Sequence, residues 1–469
     1  MPVQYEEWMS DGDALMWHIE RDPVLRSTVT SLWLLDRMPD VDRFKATIDR
    51  AVRRIPRLRQ RVVADPFGIS TPRWEDDPLF DRDYHVRLVR APGKGTLRDL
   101  LDLAAPIAGQ AFDKDRPLWE FHLVEGLAEG RAGAILKIHH AISDGVGLVR
   151  MTNTLIERTR EPAPGRDRPD TLAEEPGSAP PEGEMAHLAS AVQHRVKTAT
   201  DRGRKLGQAL GRGLWDAARE PIDTARKLVD TAGSVGRLVK PASEPLSPFW
   251  TERSFSVHLD AIVLPFEALH RAAKKTGGTL NDAFVAAVAG GLRRYHQDHG
   301  CPIDELRMNM PINVRSGEEG DKAGNQFVPA RFNVPISIED PRRRMEAIRE
   351  RVRSQRDEPA LPLMEEVSGV INRLGAPAAI AVVSGMMKSV DFVTSNVPGP
   401  RFTVYSAGAK IEQMIPFGPL AGAAVNVTIF SYDGQLQLGI NADVRAVPDP
   451  ERLRECIEQG LAEITALGE

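Results

Sequence analysis

The chain has 469 residues, 27% of them charged and 42% hydrophobic, with a net charge of −5. That balance fits a globular protein of two or three domains and gives no general affinity for nucleic acid. Two cysteines, Cys301 and Cys456, are too few for a disulfide framework or a cysteine-based zinc site, and they predict a reducing cytoplasm. The opening residues Met1 to Glu7 are acidic where a secretory signal would be basic. The longest apolar run, around Ala376 to Met387, is too short to span a bilayer. Membrane contact is therefore expected to be peripheral.

In chain order, Ser10 to Asp13 before Ala14–Ile19 reads as a capped helix start. Val29–Leu35 reads as a strand. Val41–Ile55 reads as a helix, with Val41, Phe44, Ile48 and Val52 at steps of three and four. Leu58–Val63 and Tyr84–Leu88 are strand candidates, and Leu97–Ala108 is a helix. Leu118–Val124 is a strand ending at Gly126, with Trp119 expected to fill the core. Ala132–Ile138 is short, apolar and β-branched, a buried strand that would pair with 118–124 in a hairpin.

That strand runs into His139-His140-Ala141-Ile142-Ser143-Asp144-Gly145. Chemistry is often placed where a core strand gives way to a turn. Side chains alternate along a strand, so the two imidazoles should point to opposite faces. One can then reach a cavity while the other packs. Three other readings compete: a core histidine pair, a metal site using His139, His140 and Asp144, and a plain Asp-Gly turn. Diverging histidines and the absence of a nearby Cys or Glu cluster weigh against metal.

Residues 161–184 are rich in proline, glycine and acids and read as an extended linker. Residues 185–240 carry apolar positions at helical spacing opposite a basic face, with Pro221 breaking the run. This segment reads either as a helical connector or as a basic amphipathic surface for anionic membrane or lipid droplets. Beyond it, Phe255–Leu259 is a strand and Phe266–Thr276 a helix. Thr279 to Asp282 opens the helical run Ala283–Tyr295. Strands are expected at Leu306–Arg315 and Val328–Val334, then a charged helix at Pro341–Gln355. Asp391–Pro400 reads as a strand ending in a rigid turn. Val425–Phe430 and Leu436–Ile440 form a hairpin around Asp433-Gly434, and Pro450–Leu467 is a closing helix. Together the elements suggest an α+β fold.

HHAISDG resembles the His-His-x3-Asp-Gly signature of the chloramphenicol-acetyltransferase-like superfamily, which also includes peptide-synthetase condensation domains. Four neighbouring segments resemble the bacterial wax ester synthase/diacylglycerol acyltransferase family more narrowly. They are Pro117-Leu118-Trp119, Asn281-Asp282, Met310 to Arg315 with the following Gly324-Asn325, and Asn396-Val397-Pro398-Gly399-Pro400. The start, SDGDALMWHIE, is similar to that family's opening segment. The motifs come in the family's order.

The resemblance implies two similarly built lobes, each a mostly antiparallel or mixed sheet with helices, and an active-site tunnel between them. The lobes would be residues 1–160 and 246–469, joined by 161–245. It implies transfer of a long-chain acyl group from acyl-CoA to diacylglycerol or a long-chain fatty alcohol. His140 would be the general base and His139 a support. Asp144 would brace the loop through an ion pair, with Arg315 as the suggested partner; a triad role orienting His140 is the alternative. Gly145 would leave room for substrate. Asn281, with Asp282 beside it, is the candidate for oxyanion or substrate contact. Trp119, Asn396, Pro398 and Gly399 would be structural or shape the tunnel. Acyl-CoA enters as a substrate, and neither a metal nor a bound cofactor is expected. The enzyme would sit in the cytoplasm, peripherally on the inner membrane or on lipid droplets. A carrier-fed, condensation-type or polyketide-associated acyltransferase and a non-catalytic lipid-droplet-binding protein are the alternatives.

Overall fold

The computed structural model describes residues 5–64, 70–142, 151–161, 190, 192–198, 200, 244–313, 327–356, 368, 371 and 376–469. Two six-stranded sheets carry the fold. In spatial order the first holds β11 (Tyr405–Ser406), β12 (Ala409–Phe417), β1 (Thr28–Leu35), β6 (Ala132–His139), β5 (Trp119–Glu125) and β4 (Val86–Arg90). The second holds β7 (Val257–Pro265), β14 (Gln435–Asp443), β13 (Val425–Tyr432), β10 (Phe392–Pro398), β8 (Glu305–Asn313) and β9 (Phe327–Pro335). A small ribbon pairs β2 (Gln60–Val63) with β3 (Arg73–Asp76). Both large sheets are mixed: β4 runs parallel to β5, and β10 runs parallel to both β13 and β8. The architecture is α+β, as the element pattern leads one to expect, with the two lobes that the family resemblance implies.

Local chemistry accounts for the elements. Helix α1 (Asp11–Ile19) starts where the Ser10 hydroxyl accepts the Asp13 N–H. Helix α2 (Val41–Arg54) is capped by Asp40 and buries Phe44, Ile48 and Val52 on one stripe. A four-residue helix, α3 (Arg82–His85), leads into β4, and Thr96 and Asp99 close a capping box at the start of α4 (Leu97–Gly109). Helices α5 (Phe266–Lys275), α6 (Leu280–Asp298), α7 (Pro341–Arg356), α8 (Ala376–Lys388) and α9 (Pro450–Ala466) belong to the second half. The β13–β14 hairpin turns on Asp433 (φ 46°) and Gly434 (φ 77°), both left-handed, as a tight two-residue turn requires.

Strand β6 and its neighbours bury both faces. Leu136 and Ile138 join Phe44 and Ile48 of α2 in one core. Ile135, with Leu32 and Leu34 of β1, packs against Leu100 and Leu101 of α4 and Leu259 of β7. A sheet covered on both sides should read as continuous apolar strands, and β6 does from Ala132 to Leu136, before Lys137 and His139.

Strand β12 comes from the C-terminal half of the chain yet pairs antiparallel with β1, from Thr30↔Phe417 to Leu34↔Gln413. It ties the first sheet to the second half. Nothing in the apolar pattern predicts it, because Glu412, Gln413 and Pro416 interrupt the alternation. In the second sheet, the registered pairs between β8 and β10 are Met308↔Phe392 and Asn309↔Val393. Strand β10 stays paired with β13 through Pro398. The two parallel strands therefore part beyond Asn309 and Val393.

Candidate active site

Strand β6 ends on His139, whose backbone N–H donates to Leu118 O at 3.0 Å. The next N–H leaves the β5–β6 hairpin: His140 donates to Ser27 O at 2.8 Å. The two histidines thus straddle the point where the strand gives way to the short turn His140–Ile142.

The His139 side chain is fully buried. Trp17 and Phe112 flank its ring edge-on, at centroid distances of 6.0 and 6.3 Å. Its Nδ1 accepts the Ala141 N–H at 3.0 Å. A ring nitrogen that accepts carries no proton, so this contact assigns the neutral ring its proton on Nε2. That Nε2 lies 2.9 Å from Glu20 Oε1, in a close but oblique approach. The same Oε1 accepts the Ser27 N–H at 2.7 Å. Burial pushes the Glu20 carboxyl up, but His139, the Ser27 N–H and the Lys114 charge outweigh it and hold the group below its ordinary value.

His140 is half-buried, in contrast with His139. Ser143, Asp144 and Gly145 lie outside the described residues, as does Arg315, so the expected Asp144–Arg315 pair has no description here. Asn281 sits in the first turn of α6, where its Nδ2 points to Met310 Sδ at 3.6 Å. Asp282 closes the capping box of α6, accepting the Thr279 N–H and hydroxyl at 2.8 Å each. Its carboxylate is thereby turned back onto the helix end. No hydrogen bond among the described residues joins Asn281 to either histidine.

Trp119 is core: its indole N–H donates to Leu58 O at 2.8 Å, and its ring stacks on His85. Asn396 and Pro398 are exposed along β10. Gly399 follows at the turn, its N–H donating to Ser431 Oγ at 3.2 Å. A Cβ there would run into the Phe430 ring and the Ser431 carbonyl oxygen, so this position requires glycine for close approach.

Three features carry no sequence signal. Glu20 and Ser27 are remote from the motif in sequence and reach it only through the fold. Lys137 is fully buried on the same strand face as His139. Its Nζ lies 4.0 Å from Glu120 Oε1 and 4.3 Å from the Phe112 ring centre, without a hydrogen bond. Burial holds its pKa below the usual lysine value. On the opposite face of β5 and β6, Ile48, Trp119, Phe121, Leu136, Ile138 and Leu155 help line an apolar cavity. It is small, about 20 Å³.

Comparison with known proteins decides the family. The description "wax ester synthase/diacylglycerol acyltransferase catalytic domain" matches residues 9–284, and that family's C-terminal domain matches residues 323–465. The chain belongs to this family.

A Mycobacterium tuberculosis relative bearing the name diacylglycerol O-acyltransferase is 38% identical, over 97% of this chain and 91% of its own length. A second protein of that organism, similarly named, is 30% identical over 93% and 92%. Among solved structures, the wax ester synthase/diacylglycerol acyltransferase from Marinobacter aquaeolei VT8 superposes with a TM-score of 0.62 at 21% identity, covering 98% of this chain and 99% of that one. The first condensation domain of the calcium-dependent antibiotic synthetase gives 0.62 at 16% identity, covering 99% and 97%. These two structures share the two-lobe fold. The family membership makes this protein an acyltransferase. No helix among the described residues is long and apolar enough to cross a membrane.

Proposed function

We propose that this acyltransferase moves a long-chain acyl group from acyl-CoA to the hydroxyl of diacylglycerol, of a long-chain fatty alcohol, or of both, with His140 as general base. One observation carries the division of labour. His139 is fully buried, whereas His140 is half-buried at the strand end. A neutral imidazole is the natural base for an alcohol near pH 7, worth roughly 10²–10⁴-fold.

His140 takes the hydroxyl proton as the oxygen attacks the thioester carbonyl. The tetrahedral intermediate collapses, the C–S bond breaks, and the imidazolium returns the proton to the departing CoA thiolate. Asn281 is the candidate donor to the oxyanion: among the described residues its amide faces the weak thioether acceptor of Met310. Asp144 braces the loop.

Binding to a membrane or droplet surface at the cytoplasmic side belongs to the same proposal. On the helical stretch 192–198, Val192 and Val196 are exposed beside Arg195 and Lys197, and His194 stacks on Trp8 at 4.3 Å. Deleting residues 185–240 should abolish flotation with anionic vesicles; unchanged flotation would remove this part.

The activity is tested with purified protein and palmitoyl-CoA, offering diacylglycerol and hexadecanol in competition, alongside His140→Ala. Triacylglycerol or wax ester with stoichiometric CoA is expected, and loss of both in the variant. No product from either acceptor, or an unaffected variant, overturns the reading.

A further inference from the structure

We infer that Glu20 is a positioning residue for His140, an inference that rests on His140 being the base. Glu20 caps the C-terminus of α1, far from the motif in sequence. Two routes lead from its Oε1 to the backbone on either side of His140. In one, Oε1 accepts the Ser27 N–H at 2.7 Å, and Ser27 O accepts the His140 N–H at 2.8 Å. In the other, Oε1 faces His139 Nε2 at 2.9 Å, and His139 Nδ1 accepts the Ala141 N–H at 3.0 Å. The peptide units before and after His140 are thus both held through one oxygen atom.

The neighbourhood suits this role. His139 cannot rotate freely between Trp17 and Phe112. With Nδ1 occupied as an acceptor, its Nε2 faces Glu20 Oε1 at 2.9 Å in an oblique approach. What Glu20 supplies to both routes is one oxygen. A glutamine amide oxygen can accept the Ser27 N–H and face His139 Nε2 without the charge.

This distinguishes Glu20 from a residue that merely fills space or supplies field. In Glu20→Gln, kcat should stay within about threefold of wild type. In Glu20→Ala, kcat should fall about 10²-fold, the scale of a misplacement of roughly 1 Å, while the KM for acyl-CoA holds. Amide hydrogen exchange at His140 and Ala141 should quicken in Glu20→Ala and stay slow in Glu20→Gln.

If Glu20→Ala does not fold, Glu20→Asp is read in its place. It withdraws the oxygen by one methylene and should lower kcat with KM unchanged. Normal kcat in Glu20→Ala or Glu20→Asp overturns the inference, as does a Glu20→Gln enzyme as impaired as Glu20→Ala, or unchanged amide exchange. The control is His140→Ala in the same assay. If that variant is fully active, the base assignment fails and the Glu20 role falls with it. If it is inactive while Glu20→Ala is normal, only the Glu20 inference fails.

Discussion

Gly439 of β14 lies directly against the carbonyl oxygen of Pro416 in β12, and a Cβ at Gly439 would be driven into that oxygen. Here the strand lent to the first sheet crosses the second. The N–H of Met414 next to it donates to the side chain of Gln437 in β14, which anchors the same crossing. Gly439→Ala should therefore force the sheets apart and cost about 1–3 kcal/mol, as overpacking of a tight contact does. Urea denaturation reads this as a lower midpoint. An unchanged midpoint would mean that the crossing has room to spare.

The two histidines should respond differently to removal. His140→Ala should lower kcat by roughly 10²–10⁴, the worth of a general base. His139→Ala should lower the unfolding temperature, because the Ala141 N–H and the Glu20 carboxylate lose a buried partner. Each buried group left unpaired costs about 1–3 kcal/mol. A His139→Ala protein of full stability but no turnover would reverse the assignment of roles.

Much of this arrangement is legible in the sequence wherever a local signal exists. The Ala132–His139 strand, the Asp433-Gly434 turn and the Thr279 cap follow from apolar runs, left-handed turn residues and helix-start chemistry. The adjacent histidines mark the strand end, and alternation foretells one buried and one more accessible ring. Strand β12 is not legible, because its partner β1 is distant in sequence and its own alternation is broken by Glu412, Gln413 and Pro416. Glu20 is not legible for the same reason: its meaning lies in contacts with Ser27 and His139, and a glutamate at a helix end carries no local sign of them. Asp282 shows the opposite hazard. It sits in a motif associated with the site, yet its carboxylate is occupied by the Thr279 cap.

His296 gives the fold a pH dependence with a definite sign. Its ring is buried in α6, between Leu292 O at 2.8 Å and Ser247 Oγ at 3.0 Å. Burial pushes its pKa down from 6.5 to about 4. Between those values the unfolded chain binds a proton that the folded protein does not, so stability falls as pH drops from 6.5 towards 4. The loss is roughly 3 kcal/mol from this group, at 1.36 kcal/mol per unit. Denaturant midpoints across that range should show the slope, and His296→Gln should flatten it. A slope unchanged by the substitution would place the proton uptake elsewhere, His85 being the next buried histidine with a lowered pKa.

Lys137 should be dispensable for stability. Its ammonium is fully buried, makes no hydrogen bond, and sits 4.0 Å from Glu120 across the strand pair. Taking an ammonium out of water costs several kcal/mol, and a single carboxylate at that distance does not return it. Glu120 does not depend on Lys137 alone, since His122 lies at 3.1 Å and Arg87 at 3.5 Å. Methionine matches the length of the lysine stem and keeps the contact with Phe112. Lys137→Met should therefore be neutral or stabilising, by up to roughly 4 kcal/mol in unfolding free energy. The pH dependence supplies a second reading. Because the folded pKa lies below the ordinary 10.5, the unfolded chain holds more protons between the two values, so wild-type stability gains with rising pH there. Lys137→Met should lose that gain. A variant destabilised by more than about 1 kcal/mol at neutral pH would show that the buried ammonium is paired more strongly than a typical exposed ion pair.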